Sequence, residues 1–173
     1  AIVTGAGRGI GMAIAKGFAK AGANVSIAAR SKEDLSSVET QIKKFNSNVV
    51  AFQTDVSQSE DVDALVNNTL KSFGRIDILV NNAGVYKELA LVPFPDQTLT
   101  PPSVTRSSKE RMTDDEFRQI IDTNIGGVFY GCRAVAPSMM GHKYGKIINI
   151  SSIAASKAST LQGVYAASKT AVN

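Results

Sequence analysis

Tyr165 and Lys169 stand four residues apart in Tyr165-Ala166-Ala167-Ser168-Lys169, and Ser152 lies thirteen residues upstream of the tyrosine. On a helix, positions i and i+4 share a face, so this spacing sets a cation beside a phenol. A free phenol, with a pKa of about 10, is a poor acid or base near neutrality. Two unit charges about 4 Å apart interact by roughly 4 kcal/mol at an effective dielectric of about 20. That lowers a phenol's pKa by up to roughly three units, to where proton transfer to a carbonyl oxygen is efficient. A surface tyrosine near a solvated lysine is the plain alternative for the pair alone, which recurs by chance, so the surrounding residues decide.

The chain opens on a second chemical feature, Thr4-Gly5-Ala6-Gly7-Arg8-Gly9-Ile10-Gly11. Residues 1–4 read as the end of a buried strand, and Ile10, Ile14 and Phe18 have helical spacing. The glycines therefore fall where a strand turns into a helix, where they permit φ > 0 and close approach of a ligand to the backbone. The helix N-terminus offers free N–H groups and a partial positive charge to a pyrophosphate. The spacing of Gly5, Gly9 and Gly11 is GxxxGxG, and Met12 after Gly11 rules out a P-loop, which needs Lys followed by Ser or Thr. A ligand-free glycine turn is the alternative on this motif alone.

The next strand, residues 24–30, ends in Ala29-Arg30. An acid about twenty residues after the glycine turn accepts from the ribose 2′-OH of NAD, whereas an arginine suits the 2′-phosphate of NADP. With no acid at this strand end, and with the planar forks of Arg30 and Arg8 at hand, the expectation is NADP(H) preferred over NAD(H). The alternative is that Arg30 is an ordinary solvated residue opening the next helix.

These residues need elements to position them. The pattern predicts strands at 1–4, 24–29, 48–53, 76–81 and 145–151, alternating with helices at 9–22, 31–45, 58–73, 113–140 and from 164 onward. Ser57 is the expected N-cap of the helix at 58–73. This alternation predicts an α/β fold: a doubly wound parallel sheet, Rossmann-type, in three α/β/α layers, with residues 1–173 forming a single domain. Asp55, Asn81-Asn82 and Ser151-Ser152 each follow an apolar strand, at the carboxyl edge where open α/β sheets bind ligands. Asn124 falls instead inside a helical pattern of Phe117, Ile120, Ile121, Ile125 and Val128, as a half-buried amide that needs partners.

Composition narrows the function classes. The 173 residues carry 19 basic and 15 acidic side chains, a net charge of +4, scattered without a basic cluster. That argues for an anionic cofactor more than for nucleic acid. One Cys and one His leave no ligands for a zinc cluster and no Cys/His catalytic pair, so no metal is expected. The lone Cys132 fits packing, and the absence of an internal disulfide fits a cytoplasmic protein. No apolar run reaches the length of a membrane span, so no membrane partner is expected.

Taken together, TGAGRGIG at 4–11, Asp55-Val56, Asn81-Asn82-Ala83-Gly84, Asn124, Ser152 and YAASK at 165–169 resemble the short-chain dehydrogenase/reductase family in its single-domain form. The motifs occur in the family's order and cover almost the whole chain. The resemblance implies that Tyr165 is the general acid/base, that Lys169 lowers its pKa and holds the nicotinamide ribose, and that Ser152 hydrogen-bonds the substrate oxygen. Asn124 would hold a water linking Lys169 to solvent. Asp55 and Val56 would contact the adenine, while Asn82, Ala83 and Gly84 would line the cofactor cleft beside Gly5, Arg8, Gly9, Ile10 and Gly11. Asn82 would also brace the central sheet.

The substrate class is then a small-molecule secondary alcohol or ketone, and the helices at 113–140 and 164 onward would form a homodimer or homotetramer surface. Members usually extend further at both ends, so the chain reads as a truncated core. It also departs from the family in one stretch: Asn124 stands 42 positions after Asn82, and the excess falls in an insertion at 85–112 holding four of the five prolines. The expectation there is a specificity loop over the active site. Rival readings are a dinucleotide-sensing regulator without turnover, and an epimerase or dehydratase of related fold.

Overall fold

Most of the strands that read as apolar runs end up covered by helices, while Lys146–Asn149 stays exposed. The computed structural model describes residues 1–45, 48–92 and 111–173. Within them, Ile2–Thr4 (β1), Val25–Ala29 (β2), Val49–Gln53 (β3), Ile78–Asn81 (β4) and Lys146–Asn149 (β5) form one sheet, all parallel, in the order β3-β2-β1-β4-β5. Parallel neighbours need crossovers, and these place helices on both faces. Gly9–Lys20 (α1) and Lys32–Lys43 (α2) pack over Val3, Ile27 and Val80 with Ala15, Ala19, Leu35, Val38 and Ile42. On the other face, Ser59–Phe73 (α3) and Gly127–Gly141 (α5) bring Leu65, Val66, Val135 and Met139 against Ile2, Ala28 and Leu79. This is the expected three-layer, doubly wound, Rossmann-type arrangement. The strand order reverses between β1 and β4, which opens a crevice at their carboxyl ends.

Two sequence expectations are corrected. The helix expected over 113–140 is broken in three: Asp114–Ile121 (α4), a π-helical turn at Asp122–Gly126, and α5. α4 starts at a Thr113–Glu116 capping box. The wide turn carries Asn124 inward, and single π turns inside helices are frequent at functional sites. Apolar periodicity alone runs through such a turn without registering it. At α3, the N-cap is Gln58, with no side-chain cap bond. Ser57 is engaged elsewhere: its hydroxyl and N–H both donate to Asp55 Oδ1, at 2.7 and 3.0 Å, forming an Asx turn.

α5 sits close on the sheet because it carries glycines there. A Cβ on Gly127 would meet Val56 Cγ2 at 2.8 Å, and one on Gly131 would meet Asn81 Oδ1 at 2.5 Å. Asn81 has little freedom to yield, since its amide donates to Asn149 Oδ1 at 2.9 Å on the neighbouring strand. Gly131→Ala is therefore expected to destabilise the fold by about 1–3 kcal/mol through overpacking, read as a fall in melting temperature. An unchanged melt would show that Asn81 gives way without penalty.

Of the 85–112 insertion, the two feet are described. Ala90 and Arg111 form an isolated parallel bridge, and the Met112 N–H donates to Ala90 O at 2.9 Å. The prolines and the specificity-loop reading fall at 93–110, outside the described residues.

Candidate active site

The carboxyl ends of β1 to β4 surround a cleft of about 460 Å³. Its floor is the glycine turn. Gly5 has φ +63°, and a Cβ there would lie 2.8 Å from Ala83 Cα; on Gly11 it would lie 2.4 Å from both Gly5 O and Asn82 Nδ2. No other residue fits these two positions without moving backbone. Gly9 also takes φ +56°, where the chain swings into α1. Asn82 locks the crevice: its amide donates to Thr4 O at 2.9 Å and to Gly5 O at 3.2 Å. Thr4 Oγ1 accepts from the N–H groups of Asn82 and Ala83, each at 3.1 Å. The side chain of Asn82 thus braces the sheet and leaves its backbone, with Ala83 and Gly84, to face the cleft.

Most of the expected cofactor residues meet here, although Gly9, Gly11, Tyr165 and Lys169 do not themselves line the cleft. Gly5, Arg8, Ile10, Arg30, Asp55, Val56, Asn82, Ala83 and Gly84 all line the cleft, beside the first turn of α1. Asp55 is held by a bond from its N–H to Asp61 Oδ2 at 2.9 Å and by the Asx turn to Ser57. The cradle fits a dinucleotide: close-approach glycines, free N–H groups at a helix N-terminus, and a polar strand end on either side.

One residue in this cleft was missed from sequence. Asp34, in the first turn of α2, lines it beside Arg30 and Ser31. Its Cβ lies 2.9 Å from where a Cβ on Gly7 would be, so Gly7 makes room for it. The strand end itself carries no acid, as expected, but an acid from the next helix does enter the cleft. The signal was present: Ser31 followed three residues later by an acid marks a helix start, and Ser31 Oγ does accept from the Asp34 N–H at 3.1 Å.

The residues expected to be catalytic lie on the far side of β4. Gly163–Val172 (α6) carries Tyr165, Ser168 and Lys169. Asn124 is 1% exposed and fully bonded. Its Oδ1 accepts from the Val85 N–H at 2.8 Å, and its Nδ2 donates to Val85 O and to Ser168 Oγ, each at 3.0 Å. Ser168 Oγ in turn donates to Tyr165 O at 2.7 Å. Lys169 is buried, with Nζ donating to Ile150 O at 2.8 Å, and burial holds its pKa below the ordinary lysine value. A Cβ on Gly84 would sit 3.3 Å from Asn124 Oδ1 and 3.4 Å from Lys169 Nζ, so cleft edge, amide and amine converge.

Ser152 follows β5 and opens a 3-10 turn at Ile153–Ala155. Its Oγ accepts from the Ala154 N–H at 3.2 Å, which leaves its O–H proton for another acceptor. That turn is tied to α6 by Thr170 Oγ1 donating to Ala155 O at 2.9 Å. The 3-10 turn, the π turn and α6 thus carry Ser152, Asn124, Tyr165 and Lys169, and of these Asn124 and Lys169 meet the cleft edge at Gly84. A second tyrosine unforeseen from sequence, Tyr86, stands on Tyr165, with ring centroids 4.8 Å apart at an interplanar angle of 81°.

Comparison with known proteins agrees with this geometry. The family model for short chain dehydrogenase matches residues 1–173. The chain is similar to the 3-oxoacyl-[acyl-carrier-protein] reductase FabG of Chlamydia muridarum, 37% identical over 173 residues, covering 99% of this chain and 62% of the relative. It is 35% identical to FabG of Staphylococcus aureus, covering 99% of this chain and 63% of that protein. The chain thus spans less than two-thirds of the length of these curated relatives. Among solved structures it resembles a metagenomic short-chain oxidoreductase in complex with NADP (TM-score 0.84, 35% identity, 99% of this chain and 69% of that one). An NAD+-bound xylitol dehydrogenase is also similar (TM-score 0.83, 29% identity, 99% and 59%).

Proposed function

This chain belongs to the short-chain dehydrogenase family, and we propose that it is the core of an oxidoreductase interconverting a secondary alcohol and a ketone with NADP(H), or less readily NAD(H). The observation that carries this reading is the convergence of the dinucleotide cradle with Lys169 and Asn124 at Gly84. A bound nicotinamide supplies or accepts the hydride. Tyr165 passes a proton to the carbonyl oxygen in reduction and takes it back in oxidation. Ser152 donates its free O–H to the same oxygen and holds it for that transfer. Lys169 offers a positive charge one helical turn from the phenol, anchored by Ile150 O. Asn124 fixes the π turn and the Val85 backbone beside the amine, where a water-borne proton path would end.

At the adenosine end, Arg8 and Arg30 support 2′-phosphate binding, and Asp34 supports residual use of the free 2′-hydroxyl. Ala29→Asp adds a third carboxylate to the cleft, beside Asp34 and Asp55. Like-charge repulsion is then expected to shift the NADPH/NADH ratio of kcat/KM at least about tenfold toward NADH. A ratio unmoved by this change would place the 2′ position elsewhere.

The first test is the initial rate of NADPH and NADH consumption across ketones, diketones, keto-sugars and 3-oxoacyl thioesters. Turnover supports the reading and ranks the substrates. Tight NADPH binding without turnover on any of them would overturn it in favour of a dinucleotide sensor. Assembly as a homodimer or homotetramer is part of the same proposal, supported by exposed Phe117 and Phe129 on the outer faces of α4 and α5.

A further inference from the structure

The segment that leaves β4 does more than line the cleft. Resting on the oxidoreductase reading above, we propose that Tyr86 is a positioning residue that fixes the orientation of the Tyr165 phenol. Residues 86–89 are fastened to residues 161–165 at three points of different kinds. The backbone is joined where the Leu89 N–H donates to Leu161 O at 3.1 Å. The side chains are joined where Gln162 Nε2 donates to Tyr86 Oη at 2.8 Å, Gln162 being the residue on which α6 begins. The rings are joined by the edge-to-face contact of Tyr86 with Tyr165.

Each fastening has a physical consequence. Edge-to-face packing is the preferred geometry for two aromatic rings, since the positive rim of one meets the negative face of the other. The Tyr86 phenol also donates to Glu88 Oε1, so it is gripped from both sides and its ring cannot swing away from Tyr165 without breaking two hydrogen bonds. Partial burial, with the bond to Glu88, pushes this phenol's pKa up, so Tyr86 remains a neutral neighbour. Leu161 sits in the left-handed region at φ 66° while buried. A leucine holds that conformation only where its surroundings over-determine it, and the Leu89 bond is one such constraint. Tyr165 itself is half-buried on α6. General acid catalysis needs the phenol within hydrogen-bond reach of the substrate oxygen, and small misplacements of a reacting group lower the rate steeply. A clamp on the ring therefore acts on kcat.

Tyr86 is 49% exposed, so its replacement should leave the core intact. In the purified protein, Tyr86→Ala is expected to lower kcat about tenfold with the NADPH dissociation constant nearly unchanged. Tyr86→Phe, which keeps the ring and loses the hydroxyl bonds, is expected to recover most of that loss. A second readout does not depend on turnover. The chain has four tyrosines, so ring-labelled tyrosine NMR resolves each by single substitution. The Tyr165 ring signals should shift in Tyr86→Leu as the ring-current field of Tyr86 is removed.

A kcat for Tyr86→Ala equal to wild type, or Tyr165 signals unmoved in Tyr86→Leu, overturns the proposal. A Phe variant as impaired as the Ala variant also overturns it, because the ring contact would then contribute nothing. Failure of the oxidoreductase reading looks different: wild-type protein turns over no carbonyl substrate, while the ring shift persists.

Discussion

Tyr165→Phe is expected to lower turnover by about 10²–10⁴-fold, the usual contribution of a positioned general acid/base, while NADPH affinity stays within about 0.5 kcal/mol of wild type. The substitution removes one oxygen and leaves the helix, the ring and the charge of Lys169 in place. The bonds that hold α6 do not involve the phenol: Ser168 Oγ reaches the Tyr165 carbonyl, Lys169 Nζ reaches Ile150 O, and Thr170 Oγ1 reaches Ala155 O. The ring contact with Tyr86 also survives, since it needs no hydroxyl. The proposed pyrophosphate cradle is on Gly5, Gly9 and Gly11, where an added Cβ would not meet the phenol, and it should not sense the change. Steady-state rates paired with a fluorescence titration of NADPH separate the two quantities. Loss of cofactor binding together with rate would mean that Tyr165 holds the cofactor or the fold, and the proton-transfer role would have to pass to another group.

Much of this site was legible in the sequence because it sits at element ends. Glycines between an apolar strand and a helical pattern, and polar residues just after three more apolar runs, can only gather at one edge of a parallel sheet. The parallel, doubly wound sheet and its two-sided core followed from the same alternation, whereas the strand order came from the structure. What stayed hidden is of another kind. The π turn at Asp122–Gly126 is invisible to apolar periodicity, because Ile120, Ile121, Ile125 and Val128 fit a straight helix equally well. The turn is selected by tertiary bonds of the Asn124 amide to Val85 and Ser168.

Asp34 was hidden because the expected acid position was a strand end. The acid comes instead from the next helix, four residues later, and reaches the glycine turn only because Gly7 has no side chain. Tyr86 was hidden because its partner is 79 positions away, as the numbering shows, and no local pattern records a long-range ring contact. The exposure of Ile147 and Ile148 on β5, 42% and 43%, is likewise a matter of what lies beside a strand rather than of its composition.

Lys169→Met separates the stability of this site from its chemistry. Lys169 is 6% exposed, and burial lowers its pKa from the ordinary 10.5. The unfolded chain therefore binds that proton more tightly than the native one. By linkage, stability rises with pH wherever the unfolded state holds more protons. The penalty from Lys169 is fully present below its native pKa, and it fades as pH climbs from there to the unfolded value near 10.5. Methionine matches the length of the lysine stem and carries no charge to desolvate. Against this gain stands the lost charge-assisted bond to Ile150 O, about 1.5–3 kcal/mol. Desolvating an ammonium costs several kcal/mol, so the balance favours methionine at neutral pH. A net gain of about 1 kcal/mol corresponds to roughly 2–4 °C in melting temperature for a protein of this size, and that difference should shrink as pH is raised toward 10.5. Turnover moves the other way, by at least about 100-fold, because the phenol loses the charge that stabilises its anion. Melting curves from neutral pH to pH 10, run beside rate measurements, test both halves. A variant that melts lower than wild type at pH 7 would mean that the amine stabilises the fold through its bonds more than burial opposes it, and Lys169 would then be a structural residue as well as a catalytic one.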